Sequence, residues 1–323
     1  MIGFDEPPRP ALSVVAPCYN EEGGVEAFAR RMAAACRAAA GEDFELLLVN
    51  DGSRDTTWPK IEALAAGDPR IAGVNLARNH GHQLAVTAGL ALARGARVMV
   101  IDADLQDPPE LLTEMMAVMD QGYDVVYGKR RTRASESVFK LATASLFYRL
   151  LNKLAEVDIP RDTGDFRLMS RRTVDRLNAM PERDRFIRGM VAWLGGRQTE
   201  LLYDRDARHA GVTNYTLGRM IRLAVDGVTS FSTLPLRLAG LLALAGVFLA
   251  GLIFLYAIVA FFTGTVAKGW TSLALITVFF ATAQLACLGV LGAYLGRTYM
   301  QVKGRPLFMV DEIVTAESLK ERR

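Results

Sequence analysis

Two long apolar runs near the C-terminus constrain this chain more than anything else in it. Leu236 to Phe262 carries one charge, Arg237, at its edge, and Trp270 to Leu295 carries none. Roughly 20 apolar residues suffice for a helix to cross a bilayer, and both runs exceed that. Core helices of soluble proteins are rarely so long and so free of charge. The linker TGTVAKG holds a single Lys268. Arg219, Arg222 and Arg237 precede or open the first run, and Arg297, Lys303 and Arg305 follow the second. Lysine and arginine collect on the cytoplasmic side of membrane spans. The pattern therefore predicts a two-span hairpin with both termini in the cytoplasm, and Trp270, Tyr294 and Tyr299 suit the interfaces.

The rest of the chain is too long for a mere anchor. Among its 323 residues the net charge is only +3, which gives no argument for a nucleic-acid partner. The three cysteines, Cys18, Cys36 and Cys287, are too scattered for a metal cluster or a disulfide framework. The N-terminus lacks the basic and apolar regions of a secretory signal.

The first 130 residues alternate. LSVVAP, FELLLVN, IAGVNLARN, ARVMVIDAD and YDVVYGKR read as strands. Helical stretches begin near Gly23, at Asp55 or Thr56, and at His82 (running to Gly95). A fourth begins at Pro108 with proline in its first turn. Such alternation predicts βαβ units and a mainly parallel α/β sheet. Ligands bind such sheets beyond the carboxyl ends of the strands. Polar residues gather there: Tyr19, Asn20 and Glu21 after the first strand, Asp51 after the second, Arg78 and Asn79 after the third, Asp102 and Asp104 after the fourth.

No Gly-x-Gly-x-x-Gly or Gly-Lys-Ser/Thr loop follows the first strand, which argues against dinucleotide and P-loop sites. In an extended segment residues i and i+2 face the same side, so Asp102 and Asp104 can face one ion. Mg²⁺ is commonly held by one or two carboxylates plus substrate phosphates. A solvated turn is the plain alternative. His80 and His82, two apart with no third soft ligand, do not make a zinc site.

Together VVAPCYNEE, LLLVNDGSRDTT, NLARNHGHQLAVTAGLALARG, VIDADLQDPPELL, YDVVYGKR and DTGDFRLMSRR resemble glycosyltransferase family 2. The nearest subgroup is the polyisoprenyl-phosphate glycosyltransferases, and TGDFRLM, RHAGVTNY and the paired apolar runs resemble its bactoprenol glucosyltransferases. The resemblance implies a GT-A-type fold, a nucleotide-sugar donor such as UDP-glucose, a divalent cation (Mg²⁺ or Mn²⁺) and a polyprenyl-phosphate acceptor. It also implies a bacterial plasma-membrane location and a homotetramer packed through the spans. Pro17, Tyr19, Asn20, Glu21 and Asp51 match the family's nucleotide positions, with Asp51 toward the base. Arg78 and Gly81 extend the donor side. Asp102, Ala103 and Asp104 match the Asp-x-Asp segment, with Gln106 beside the metal. Arg130 matches an arginine near the phosphates, Asp165 a proposed catalytic base, and Arg208 a phosphate-contacting arginine.

An acceptor phosphate is anionic already and hardly needs a base, so Asp165 can equally orient acceptor or sugar. Direct in-line attack predicts inversion. Residues 136–157 and 215–231 read as amphipathic helices suited to lie on a bilayer, with Arg131, Arg133 and Lys140 placed to meet an anionic headgroup. Expected domains are a catalytic region at 1–235, a membrane hairpin at 236–297 and a cytoplasmic tail at 298–323. Alternatives are another donor (GDP-mannose, UDP-galactose or a UDP-amino-sugar), a processive polysaccharide synthase, or a non-enzymatic membrane-anchored nucleotide-sugar sensor. The absence of Gln-x-x-Arg-Trp and of further spans argues against the synthase.

Overall fold

The computed structural model describes residues 9–131, 163–204, 234–263 and 269–321. The amphipathic segments at 136–157 and 215–231 lie outside the described residues, as do Arg133, Lys140 and Arg208.

The first unit is built on β1 (Leu12–Cys18), α1 (Val25–Ala40), β2 (Phe44–Asn50), α2 (Thr57–Gly67), β3 (Ile71–Leu76), α3 (His82–Leu92) and β4 (Arg97–Val100). It continues through α4 (Leu112–Met119), β5 (Val125–Arg130), β6 (Thr163–Ser170), α5 (Arg171–Ala179), α6 (Ile187–Leu194) and β7 (Gln198–Tyr203). After the two apolar helices it ends in β8 (Val310–Val314) and α9 (Ala316–Glu321). The strands form one sheet in the order β7-β5-β6-β4-β1-β2-β3-β8. β1 and β2 are buried at every residue, as central strands covered on both faces must be. Both β2 and β4 pair parallel with β1. The chain thus winds outward through β2 and β3, then returns to the other side of β1. That reversal opens a crevice beyond the ends of β1 and β4, where α/β sheets hold ligands.

Two strands run against the rest. β6 lies antiparallel between β4 and β5, with Val100 opposite Arg167. Extending that register by two residues carries Asp165 across from Asp102. β8 pairs antiparallel with β3, so part of the C-terminal stretch after the second apolar helix joins the edge of this sheet.

Helix boundaries shift for local reasons. α3 ends at Leu92, not Gly95, because the next residues are tied elsewhere. Ala93 O accepts from Arg171 Nη1, and Gly95 N donates to Ser13 Oγ at 2.6 Å. The stretch after Pro108 opens as a 3₁₀ turn, Pro109–Leu111, before α4. A side chain on Gly89 would reach within 2.2 Å of Val15 Cγ1, so glycine lets α3 press onto the sheet.

The apolar helices, α7 (Leu234–Thr263) and α8 (Trp270–Val302), form a unit of their own. Both are long and apolar enough to cross a membrane. They pack antiparallel: Cys287 Sγ sits 3.5 Å from Ala239 O, and the Phe280 ring lies over Gly246. Their other faces expose Phe248, Phe254, Leu244 and Leu275, a surface suited to lipid. Thr263, Thr277 and Thr298 hydroxyls bond back to the carbonyls of Val259, Leu273 and Tyr294, leaving no polar demand on the surroundings.

Candidate active site

Hydrogen bonds join the loops at the carboxyl ends of β1, β2 and β3 into one wall. Asn20, held at a φ of 54°, donates its N–H to Ser53 Oγ at 3.0 Å and accepts from Arg54 N at 2.9 Å. Glu21 N donates to Thr57 Oγ1. Asp51 accepts from His80 N at 2.7 Å and Gly81 N at 2.9 Å. Its carboxylate thus positions the loop that opens α3. Gly52 adopts a φ of +63° and passes so close to Arg78 and Asn79 that any Cβ would collide with their backbone.

These loops and the segment after β4 enclose a cavity of about 250 Å³. Of the residues singled out in the sequence, Pro17, Tyr19, Glu21, Asp51, Asn79, Gly81, Asp102, Ala103 and Asp104 line it. Asn20, Arg78 and Gln106 do not. Asn20 braces the wall, exposed Arg78 turns to Asn79 O, and Gln106 N bonds to Asp104 Oδ1 at 3.1 Å. Cys18, His82 and Ala85 complete the lining. Burial drives the Cys18 thiol far above its ordinary range, so it packs rather than reacts.

Asp102, Ala103 and Asp104 all line the cavity, and the chain turns at Ala103 and Asp104 instead of running extended, so a turn and not strand alternation brings the two carboxylates to one place. Asp102 Oδ1 is buried with no hydrogen-bond partner. Burial raises its carboxyl to about 6, helped by Asp165, Asp107 and Asp104 and opposed by His82. No group of three or more His, Cys, Asp or Glu in ligating geometry occurs among the described residues. A cation here would draw on two carboxylates and complete its shell with phosphate oxygens, as Mg²⁺ commonly does. The orphaned oxygen and raised pKa of Asp102 fit such an ion.

Asp165 has the opposite surroundings. His82 Nε2 lies 3.1 Å and Gln83 Nε2 2.8 Å from its Oδ2. Arg167 and Arg188 each approach Oδ1 to 3.6 Å. Burial would raise this carboxyl, but the His82 hydrogen bond and the Arg188 and Arg167 charges hold it well below the usual carboxylate range. His82 also stands 3.5 Å from Asp102 Oδ1, so it bridges the two aspartates. Burial lowers its pKa, yet the carboxylates prevail and raise it to about 8. Gln83 Oε1 accepts from Ile187 N at 3.0 Å and thereby locks the start of α6 to the same hub.

Arg130 ends β5 away from the cavity lining, near Gly164 and Asp107. Buried Asp107 accepts from Tyr203 OH, and burial with that carboxylate raises the Tyr203 phenol far above its ordinary value. Arg131 is exposed, 3.8 Å from Asp204. Gln83 and Arg188 escaped the sequence reading, and His82 was weighed there only as a zinc ligand. The antiparallel placement of TGDFRLMS, which sets Asp165 opposite Asp102, emerges only in the fold.

A family model for glycosyl transferase family 2 matches residues 13–177. The uncharacterized glycosyltransferase YkcC of Bacillus subtilis is 44% identical over 304 residues, covering 93% of each chain. The SfII prophage-derived bactoprenol glucosyl transferase of Shigella flexneri is 37% identical over 303 residues, covering 93% of this chain and 97% of that one. The chain belongs to glycosyltransferase family 2. As a family 2 glycosyltransferase it is an enzyme, with a GT-A-like fold of mostly parallel sheet followed by two long apolar helices. One solved structure it resembles is mannosyl-3-phosphoglycerate synthase from Rubrobacter xylanophilus, 20% identical, covering 68% of this chain and 72% of that one, TM-score 0.47. Another is glucosyl-3-phosphoglycerate synthase from Mycobacterium tuberculosis in complex with Mn²⁺, UDP and phosphoglyceric acid, 20% identical, covering 68% and 76%, TM-score 0.45.

Proposed function

We propose that this glycosyltransferase moves glucose from UDP-glucose to a membrane polyprenyl phosphate, with inversion at the anomeric carbon. One observation carries the reading. A cavity with two carboxylates at its switch point belongs to the same chain as two helices of membrane-crossing length. The relatives named bactoprenol glucosyl transferase support the sugar and the lipid carrier.

The acceptor phosphate oxygen attacks the anomeric carbon. The bond from that carbon to the donor's β-phosphate oxygen breaks, and its electron pair leaves with the nucleoside diphosphate. Asp102 and Asp104 would hold Mg²⁺ or Mn²⁺, which when bound supplies positive charge for the leaving diphosphate. Pro17, Tyr19 and Glu21 would flank the nucleotide, and Asp51 fixes the loop of Asn79 and Gly81 against it. The attacking phosphate carries its charge before it arrives. Asp165, held ionised by His82 and Gln83 on Oδ2 and by two arginines near Oδ1, therefore orients His82 and Arg188 rather than taking a proton. Arg130, Arg131, Arg133, Lys140 and Arg208 keep their expected roles toward phosphates and headgroups.

β8 pairs with β3, so the chain leaves the catalytic unit before α7 and rejoins it after α8. That return supports an even number of crossings, and the basic residues Arg297, Lys303 and Arg305 favour the cytoplasm for both ends. A bacterial plasma-membrane location and a homotetramer packed through the exposed faces of α7 and α8 belong to the same reading. The test is a screen of nucleotide sugars against undecaprenyl phosphate, followed by mass spectrometry of the lipid. A hexosyl phospholipid formed from UDP-glucose is expected. Product only from GDP-mannose, UDP-galactose or a UDP-amino-sugar would replace the donor, and a long polymer would replace the reaction.

A further inference from the structure

The cations around Asp165 outnumber the negative charge they share. Arg167 is buried, with Nη2 on Gly164 O at 3.0 Å and no hydrogen-bond partner for Nε. Arg188 Nε is likewise buried without one. At 3.6 Å its guanidinium stands beyond hydrogen-bond range of Asp165 Oδ1. Its guanidinium also lies over the Phe186 ring, 5.9 Å from the centroid. His82 adds a third cationic group when protonated, and Asp102 is the other carboxylate that faces it. A buried guanidinium with unused donors is costly unless an anion completes it.

The location narrows which anion. Register sets Asp165 across the sheet from Asp102, and His82 spans the gap. The cluster therefore adjoins the carboxylates proposed to hold the donor's diphosphate. An attacking atom must come within about 3–3.5 Å of the anomeric carbon, the next atom along from that diphosphate. Arg188 keeps 21% of its side chain exposed, so it can be reached, whereas Arg167 at 4% acts as a fixed charge behind it.

We infer that Arg188, backed by Arg167 and oriented by Asp165, seats the phosphate monoester of the acceptor beside the donor. The inference rests on the polyprenyl-phosphate reading and names the residue that receives the phosphate within it. A guanidinium fork fits two phosphate oxygens at once, which a lysine cannot reproduce. Arg131, Arg133 and Lys140 would then meet the headgroup at the membrane, and Arg188 would hold it at the moment of transfer.

The test is steady-state kinetics of the full chain in detergent with UDP-glucose and undecaprenyl phosphate, for wild type, Arg188→Ala and Arg188→Lys. Inorganic phosphate serves as a competitor. The expected result is an acceptor KM raised about 10- to 100-fold in Arg188→Ala, the scale of one lost charge-assisted contact. Arg188→Lys should fall between. Donor KM should stay within about twofold of wild type, and inhibition by inorganic phosphate should weaken in parallel. Unchanged inhibition by inorganic phosphate beside a raised acceptor KM would assign Arg188 to the lipid chain and overturn the phosphate seat. An unchanged acceptor KM in both variants overturns it too. So does a rise confined to donor KM, which would make Arg188 a diphosphate contact. If Arg188→Ala fails to fold, Arg188→Lys decides alone by the same criteria. Absence of transfer by the wild type would remove the parent reading, and this one with it.

Discussion

Asp102 and Asp165 face each other across β4 and β6, yet their surroundings push them in opposite directions. Asp102 has a third of its side chain exposed (33%) and is raised to about 6. Asp165 has only 9% exposed and is held well below the carboxylate range. Burial pushes both carboxyls up. Partners decide the matter: Asp165 has two arginines, His82 and Gln83, whereas Asp102 has three neighbouring carboxylates against one histidine. One aspartate has a single shared histidine among three carboxylates and suits a cation; the other is flanked by two arginines and suits an anchoring role.

The largest expected effect comes from breaking the first half of that contrast. Asp104→Ala should lower transfer roughly 10²–10³-fold, the scale of losing one preorganised electrostatic stabiliser, with folding intact by circular dichroism. Normal transfer by this variant would dismiss the cation site.

Asp165→Asn tests the second half. Removing one partner of a buried ion network typically costs about 3–5 kcal/mol, because Arg167 would remain buried without its carboxylate. Thermal unfolding should register that loss. A base would instead leave the melting temperature unchanged while abolishing kcat, and that outcome would restore proton abstraction to Asp165.

The pH dependence of stability sharpens the comparison further. Asp102 is raised from 3.8 to about 6, so the metal-free protein should lose stability as pH rises through that interval. His82 is raised from 6.5 to about 8; its contribution is complete below 6.5 and lost as pH rises through 8. Asp165 works in reverse, stabilising above the unfolded carboxylate range and failing only in strong acid. Melting curves from pH 4 to 9 should show the first two declines. Mn²⁺ should raise the melting temperature more at pH 7 than at pH 5.

The smallest effect belongs to Tyr203→Phe. It removes the hydrogen bond to Asp107 beside Arg130 and should cost about 1–3 kcal/mol in chemical denaturation, since a buried carboxylate oxygen loses its donor. Donor KM should hardly move, because neither residue lines the cavity.

Much of this was visible in the sequence because period and punctuation are local signals. The buried runs of β1 and β2 and the proline stop before α4 follow from neighbouring residues, whereas a turn at Ala103 and Asp104 replaces the extended alternation expected there. The contacts of Asp165 do not follow from neighbouring residues. They depend on an antiparallel strand inserted between β4 and β5, and on α6, whose Arg188 lies far along the chain. The position of β8 was hidden for the same reason: a five-residue strand after an apolar helix carries no mark of its partner. Asp51 lines the cavity as anticipated, but its carboxylate is occupied by the His80 and Gly81 amides, which are invisible to side-chain patterns.

The most direct test is incorporation of labelled glucose from UDP-glucose into chloroform-extractable lipid, with and without undecaprenyl phosphate, and with EDTA followed by Mn²⁺. The predicted result is lipid-linked label that requires the polyprenyl phosphate, disappears with EDTA and returns with Mn²⁺. Label in a water-soluble polymer, or transfer indifferent to chelation, would contradict it.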